Sequence, residues 1–129
     1  MHQELEQKLY EDFPELYRGR NKSSRESLMC FGFSCGDGWF QIIYDLSADI
    51  LAMVKEEGIA VPEVTQVKEK LGALRFYLGI SRNEKIHQRI SQAEELSLKT
   101  CEVCGAPGCT RPGVWIRTLC DEHANKEEF

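Results

Sequence analysis

The sequence predicts an α+β protein: a small helical core with a β-hairpin and a C-terminal finger of the treble-clef or zinc-ribbon kind. Three observations carry this. Residues 38–57 repeat apolar side chains at helical spacing, with Trp39, Ile43, Leu46, Ile50 and Met53 on one stripe. Residues 61–80 switch to a period of two. Near the end, Cys101-Glu-Val-Cys104 and Cys120-Asp-Glu-His123 form two ligand pairs separated by residues 105–119. The expected division is a helix–hairpin–helix core over 1–99, with an N-terminal helix and basic loop in 1–29, and a finger over 100–129 packed on that core.

The 129 residues, 42% of them hydrophobic, suit one domain with a modest core. No apolar run approaches the roughly 20 residues of a membrane span. No secretory signal pattern opens the sequence, so a cytoplasmic protein is expected. In that compartment six cysteines point to metal more than to disulfides. A net charge of −5 argues against a sequence-independent DNA binder, which is usually basic. The average hides local clusters, however: Arg18, Arg20, Lys22 and Arg25, and again Lys68, Lys70 and Arg75.

Taken in order, Leu5, Leu9 and Phe13 give the first helix its apolar face, and Pro14 ends it or begins another turn. Tyr17 to Glu26 is polar and basic and reads as a loop, either a solvated linker or an anion-contacting arm. Gly36-Asp37-Gly38 reads as a turn with Asp37 as N-cap of the central helix. Cys30 and Cys35 read as buried small hydrophobes. A helix N-terminus near Cys35 would lower its thiol pKa, but no base accompanies it, and no phosphate-loop pattern is present. Gly58 then closes the central helix with a left-handed cap, with Ile59 over the last turn.

Thr65–Glu69 and the alternation Leu74, Phe76, Leu78, Ile80 form the hairpin, turning at Lys70-Leu71-Gly72. The apolar face should pack on the central helix. The other face should present Gln66, Lys68, Lys70, Arg75 and Tyr77. Such a face either meets phosphates and stacks a base, or is an exposed sheet surface whose edge lysines discourage aggregation. Ser81-Arg-Asn-Glu84 fits a capping box for a third helix, whose inward stripe is Ile86, Ile90 and Ala93, with His87 beside it. The tail from Lys126 to Phe129 should fray.

Zinc takes thiolate and imidazole donors in a tetrahedron. A Cys-x-x-Cys turn brings two thiolates to one ion, and Gly105 tolerates the backbone such a knuckle needs. Cys120 and His123 stand three apart, one helical face, at the start of a short helix. The expected set is therefore Cys101, Cys104, Cys120 and His123 around one structural zinc ion. Cys109 is a spare that would replace His123. Turns at residues 107–113 and a strand within Val114–Leu119 fill the interval. Four protein donors leave no open position for water, and the Zn-deaminase and His-Glu-x-x-His patterns are missing, so no enzymatic activity is expected.

The combination Gly36 to Trp39 (GDGW), Val67 to Tyr77 (VKEKxGxLRFY), Ala93 to Ser97 (AExxS) and Cys101 to His123 (CExCG…W-I-x-T-x-C-x-x-H) resembles a family of small phage, prophage and bacterial proteins. The resemblance covers about residues 30–124. It implies phage association, a host cytoplasmic location and a zinc finger, and it implies no activity. The expectation is a non-enzymatic binding protein that docks on a host or phage protein complex, a bacterial defence complex such as CRISPR machinery being one class of target. The alternative is a nucleic-acid module using Lys68, Lys70, Arg75 and Tyr77 with Arg111 and Arg117 beside the finger.

Overall fold

A computed structural model describes residues 1–126. It is α+β, in the order α1 (Gln3–Asp12), β1 (Phe33–Ser34), α2 (Phe40–Glu57), β2 (Val64–Lys70), β3 (Ala73–Leu78), α3 (Glu84–Ser97), β4 (Cys109–Arg111), β5 (Arg117–Leu119) and α4 (Asp121–Lys126). The expectation for the tail beyond Lys126 lies outside the described residues. No helix among them is long and apolar enough to cross a membrane.

The central helix buries Ile42, Ile43, Leu46, Ile50 and Val54, close to the stripe read from its spacing. Met53 sits at the margin of that core. Gly58 ends the helix at φ 65°, and the Ile59 N–H reaches Val54 O at 3.2 Å. The start differs from expectation. Asp37 does not cap the helix; a 3-10 turn over Asp37–Trp39 leads in, and the Asp37 carboxylate accepts from the His2 N–H.

Three strands form one sheet in the order β1-β2-β3. β1 runs parallel to β2, pairing Phe33 with Val67 and Ser34 with Lys68. β2 and β3 form the expected hairpin, with Val67 opposite Phe76, Lys68 opposite Arg75 and Gln66 opposite Tyr77. Leu71 and Gly72 make a two-residue turn with φ of 54° and 83°, the sign pattern of a type I′ hairpin. Strand β3 ends at Leu78, so Ile80 does not continue the inward face and is fully exposed. Val67, Leu74 and Phe76 join the core formed with α2. Helix α3 lies along β3: Ser97 Oγ accepts from Leu74 N at 2.9 Å and Glu94 from Phe76 N at 3.2 Å. These bonds satisfy the outward N–H groups of an edge strand. The cap of α3 is Asn83, accepting from Ile86 N at 3.0 Å, rather than Ser81.

The basic segment after α1 is neither a free linker nor an extended arm. Arg18–Asn21 form a 3-10 turn, and Tyr17 is fully buried. The Tyr17 hydroxyl bonds Ser47 Oγ at 2.7 Å, and its ring packs edge-on against Phe33 and Phe76. Arg18 donates to the carbonyls of Glu15 and Val61, Lys22 reaches Glu63 at 2.7 Å, and Arg20 lies over the Tyr10 ring.

Candidate metal centre

The C-terminal module has the knuckle–hairpin–helix order of a treble clef. Gly105, at φ 81°, lets the knuckle close, with Gly105 N donating to Cys101 O at 2.9 Å. Cys101 N then donates to Ala106 O at 2.7 Å. β4 and β5 pair Cys109 with Leu119, Thr110 with Thr118 and Arg111 with Arg117. The strand expected within 114–119 is confined to its last three residues, and β4 occupies part of the stretch read as turns. Cys120 follows β5, and α4 carries His123 back to it.

The donor atoms of Cys101, Cys104, Cys120 and His123 all lie within 4.8 Å of one another. Cys104 Sγ is 3.8 Å from Cys120 Sγ, while His123 Nδ1 is 3.7 Å from Cys101 Sγ and 3.2 Å from Cys120 Sγ. A tetrahedral ion with metal–sulfur bonds near 2.3 Å separates two sulfurs by about 3.8 Å and a sulfur from a nitrogen by about 3.6 Å. The four residues therefore fit a single metal ion. Cys109 lies outside this cluster with an exposed side chain, so the set contains His123 and not Cys109.

The electrostatics suit a cation. Burial pushes the Cys101 thiol up, but N–H groups of Cys120, Cys104 and Val103 outweigh it and bring the pKa down to about 6. At neutral pH Cys101 is then a thiolate, the form that binds metal. Cys104 moves the other way. The Ala106 N–H lowers its pKa, yet burial and the neighbouring Cys101 and Cys120 thiols raise it overall. One negative sulfur opposes the next, and a cation between them reverses that opposition.

The knuckle is built against the start of the central helix. Gly38 N donates to Glu102 O at 2.8 Å, and the Trp39 indole N–H to Thr100 O at 2.9 Å. Glu102 is buried; its carboxylate accepts from Gly36 N at 2.8 Å and pairs with Arg117 at 3.5 Å. From the hairpin side, buried Thr118 donates its hydroxyl to Gly72 O at 2.6 Å. A Cβ on Gly38 would fall 2.6 Å from Gly105 N and closer still to Cys101 O. The Gly-Asp-Gly sequence is thus a socket for the knuckle. Two glycines flanking one residue ahead of a tryptophan were the available signal for such a close backbone approach. Glu102 carried no comparable signal, because its partners are distant in sequence.

The other candidate residues separate. Lys68, Lys70, Arg75 and Tyr77 share one face of the hairpin, as the register requires. Arg111 and Arg117 are engaged within the finger. Arg111 donates to Leu119 O at 3.0 Å and to Asp121 at 2.8 Å, tying β4 to β5 and α4. Cys35 is buried as expected, and its thiol is not activated; burial pushes its pKa up to about 12. Cys30, expected inside, is exposed. Comparisons with protein-family models, curated proteins and solved structures find no match.

Proposed function

We propose that this chain is a non-enzymatic binding protein whose finger holds one structural zinc ion, and that it docks on a protein partner through the finger loop and the hairpin tip. Three thiolates and an imidazole are the donor set zinc favours, and four protein donors close its coordination. The residues bind and orient the ion; the chemistry it supplies is cross-linking of the knuckle to α4.

One observation carries the docking surface. Leu71 is 63% exposed although its backbone is held at φ 54°. The left-handed region costs a residue other than glycine or asparagine roughly 1–2 kcal/mol. Asn or Gly is the usual occupant of this turn position. A leucine there meets that cost with little core burial in return, and backbone strain of this kind accompanies functional surfaces. Across one groove from Leu71 stand Val114, fully exposed, and Trp115 and Ile116, 71% and 38% exposed. Zinc and the Gly-Asp-Gly socket fix this apolar loop to the core, which limits the entropy lost on binding. The resemblance of residues 30–124 to phage-associated proteins supports a partner in a bacterial host.

The test is affinity capture from bacterial lysate with and without nuclease, using wild type and Val114→Asp at equal zinc content. A discrete protein complex that survives nuclease and is lost with Val114→Asp supports the reading. Equal capture by both proteins refutes the surface, and nuclease-sensitive capture alone refutes the protein-docking role.

A further inference from the structure

A second surface, independent of the finger loop, has its own chemistry. We infer that the outward face of the three-stranded sheet binds single-stranded nucleic acid through Lys68, Lys70 and Arg75, with Tyr77 stacking one base.

The register makes the face. Lys68 lies directly opposite Arg75, Gln66 opposite Tyr77, and Lys70 opposite Ala73, while the alternate pair Val67–Phe76 points into the core. Like charges directly across a ladder destabilise a hairpin. This chain carries 21 acidic side chains to 16 basic ones, and several of its cations elsewhere are paired. Arg18 and Lys22 share Glu63, Arg89 takes Asp49, and Arg111 takes Asp121. Among the described residues no carboxylate lies within ion-pairing distance of Lys68, Lys70 or Arg75, so positive charge accumulates on this face alone of the sheet.

Edge protection against aggregation does not account for it. β2, which carries both lysines, is the central strand of the sheet, and Lys68 is paired on one side with Ser34 and on the other with Arg75. Tyr77 is 41% exposed, with Lys68 Nζ 5.9 Å from its ring centroid. A shallow groove continues from Gln66 and Tyr77 to Arg25, with Glu26 as the carboxylate in its wall. Cations following a backbone beside an exposed aromatic ring form the recognition pattern for single strands, in which any base can stack. Stacking on Tyr77 needs an unpaired base with a free face, which makes paired strands the poorer ligand.

The experiment is fluorescence anisotropy with labelled oligo(dT) and oligo(U), each about 15 nucleotides, a length that spans a typical single-strand site. A duplex of the same length and polyglutamate serve as comparison probes. The zinc-loaded full chain should bind the single strands with affinity that falls as salt rises. Lys68→Gln with Arg75→Gln should weaken binding at least about tenfold, as loss of two phosphate contacts implies, at unchanged zinc content and a melting temperature no lower than that of wild type. Tyr77→Ala should weaken it about 5- to 100-fold, with Tyr77→Phe near wild type, the range expected for one stacked base. Val114→Asp should leave it unchanged, which keeps this test separate from the docking loop. No binding at low salt, indifference to the double substitution, equal affinity for Tyr77→Ala, or tighter binding of duplex or polyglutamate would each overturn the inference.

Discussion

Substitution of Gly38 by alanine probes whether finger and core are one structure. Gly38 has no positive φ, so an isolated chain would accept alanine there and gain about 0.4–1 kcal/mol from the unfolded state. The structure reverses the sign. The added Cβ would meet Cys101 O, Gly105 N at 2.6 Å and the Glu102 carbonyl carbon at 2.7 Å, all backbone atoms of the metal knuckle. Overpacking of this kind costs about 1–3 kcal/mol. The knuckle must also move, which weakens the 2.8 Å bond from Gly38 N to Glu102 O, worth about 1 kcal/mol. After the 0.4–1 kcal/mol gain is subtracted, the net is a loss of about 1–3.5 kcal/mol, equivalent to a melting temperature about 4–13 °C lower for a chain of this length. The control is Gly58→Ala, where φ is 65° and nothing lies within 4 Å, leaving only the conformational cost of about 1–2 kcal/mol. Both variants are melted with saturating zinc and followed by circular dichroism. A Gly38→Ala protein at least as stable as wild type would refute the packing of knuckle on core.

Cysteine chemistry gives two further expectations. Iodoacetamide at pH 8 should label Cys30 and Cys109 on the zinc-loaded protein and leave Cys35 unlabelled until denaturation, as peptide mapping by mass spectrometry would show. Because burial raises the folded pKa of Cys35 to about 12, the unfolded chain gives up that proton first. Between about pH 9 and pH 12 the unfolded state then binds fewer protons at this thiol, so the Cys35 contribution to stability is level below that window and falls as pH rises through it. Urea melts across the range read this directly, and Cys35→Ala should flatten part of the slope.

The features legible in the sequence are those whose physics is local. Two ligand pairs close in sequence announce a metal site, and the alternation around Leu74 and Phe76 announces a hairpin whose register places Lys68 beside Arg75. The central helix and its glycine cap are local in the same sense. What stayed hidden depends on distant partners. β1 is two residues long and exists because it pairs with β2. Tyr17 sits among arginines, yet it is buried because Ser47 receives its hydroxyl and Phe33 and Phe76 receive its ring. Asn83 displaced Ser81 as cap within a sequence that offered both. Glu102, a charge inside a metal knuckle, is buried because Gly36 and Arg117 converge on it from other segments. Arg111 and Arg117 looked available for a ligand until the fold turned them toward Leu119, Asp121 and Glu102.

The most direct test of the account is metal content by inductively coupled plasma mass spectrometry on wild type, Cys120→Ser, His123→Ala and Cys109→Ser. One zinc per chain in wild type and Cys109→Ser, with loss in Cys120→Ser and His123→Ala, is the predicted result. Structural zinc contributes on the order of 10 kcal/mol, so the depleted variants should also lose the packing of residues 100–126 on the core. Full zinc in Cys120→Ser, or loss of zinc on changing Cys109 alone, would contradict the assignment of the centre on which finger, socket and docking loop all depend.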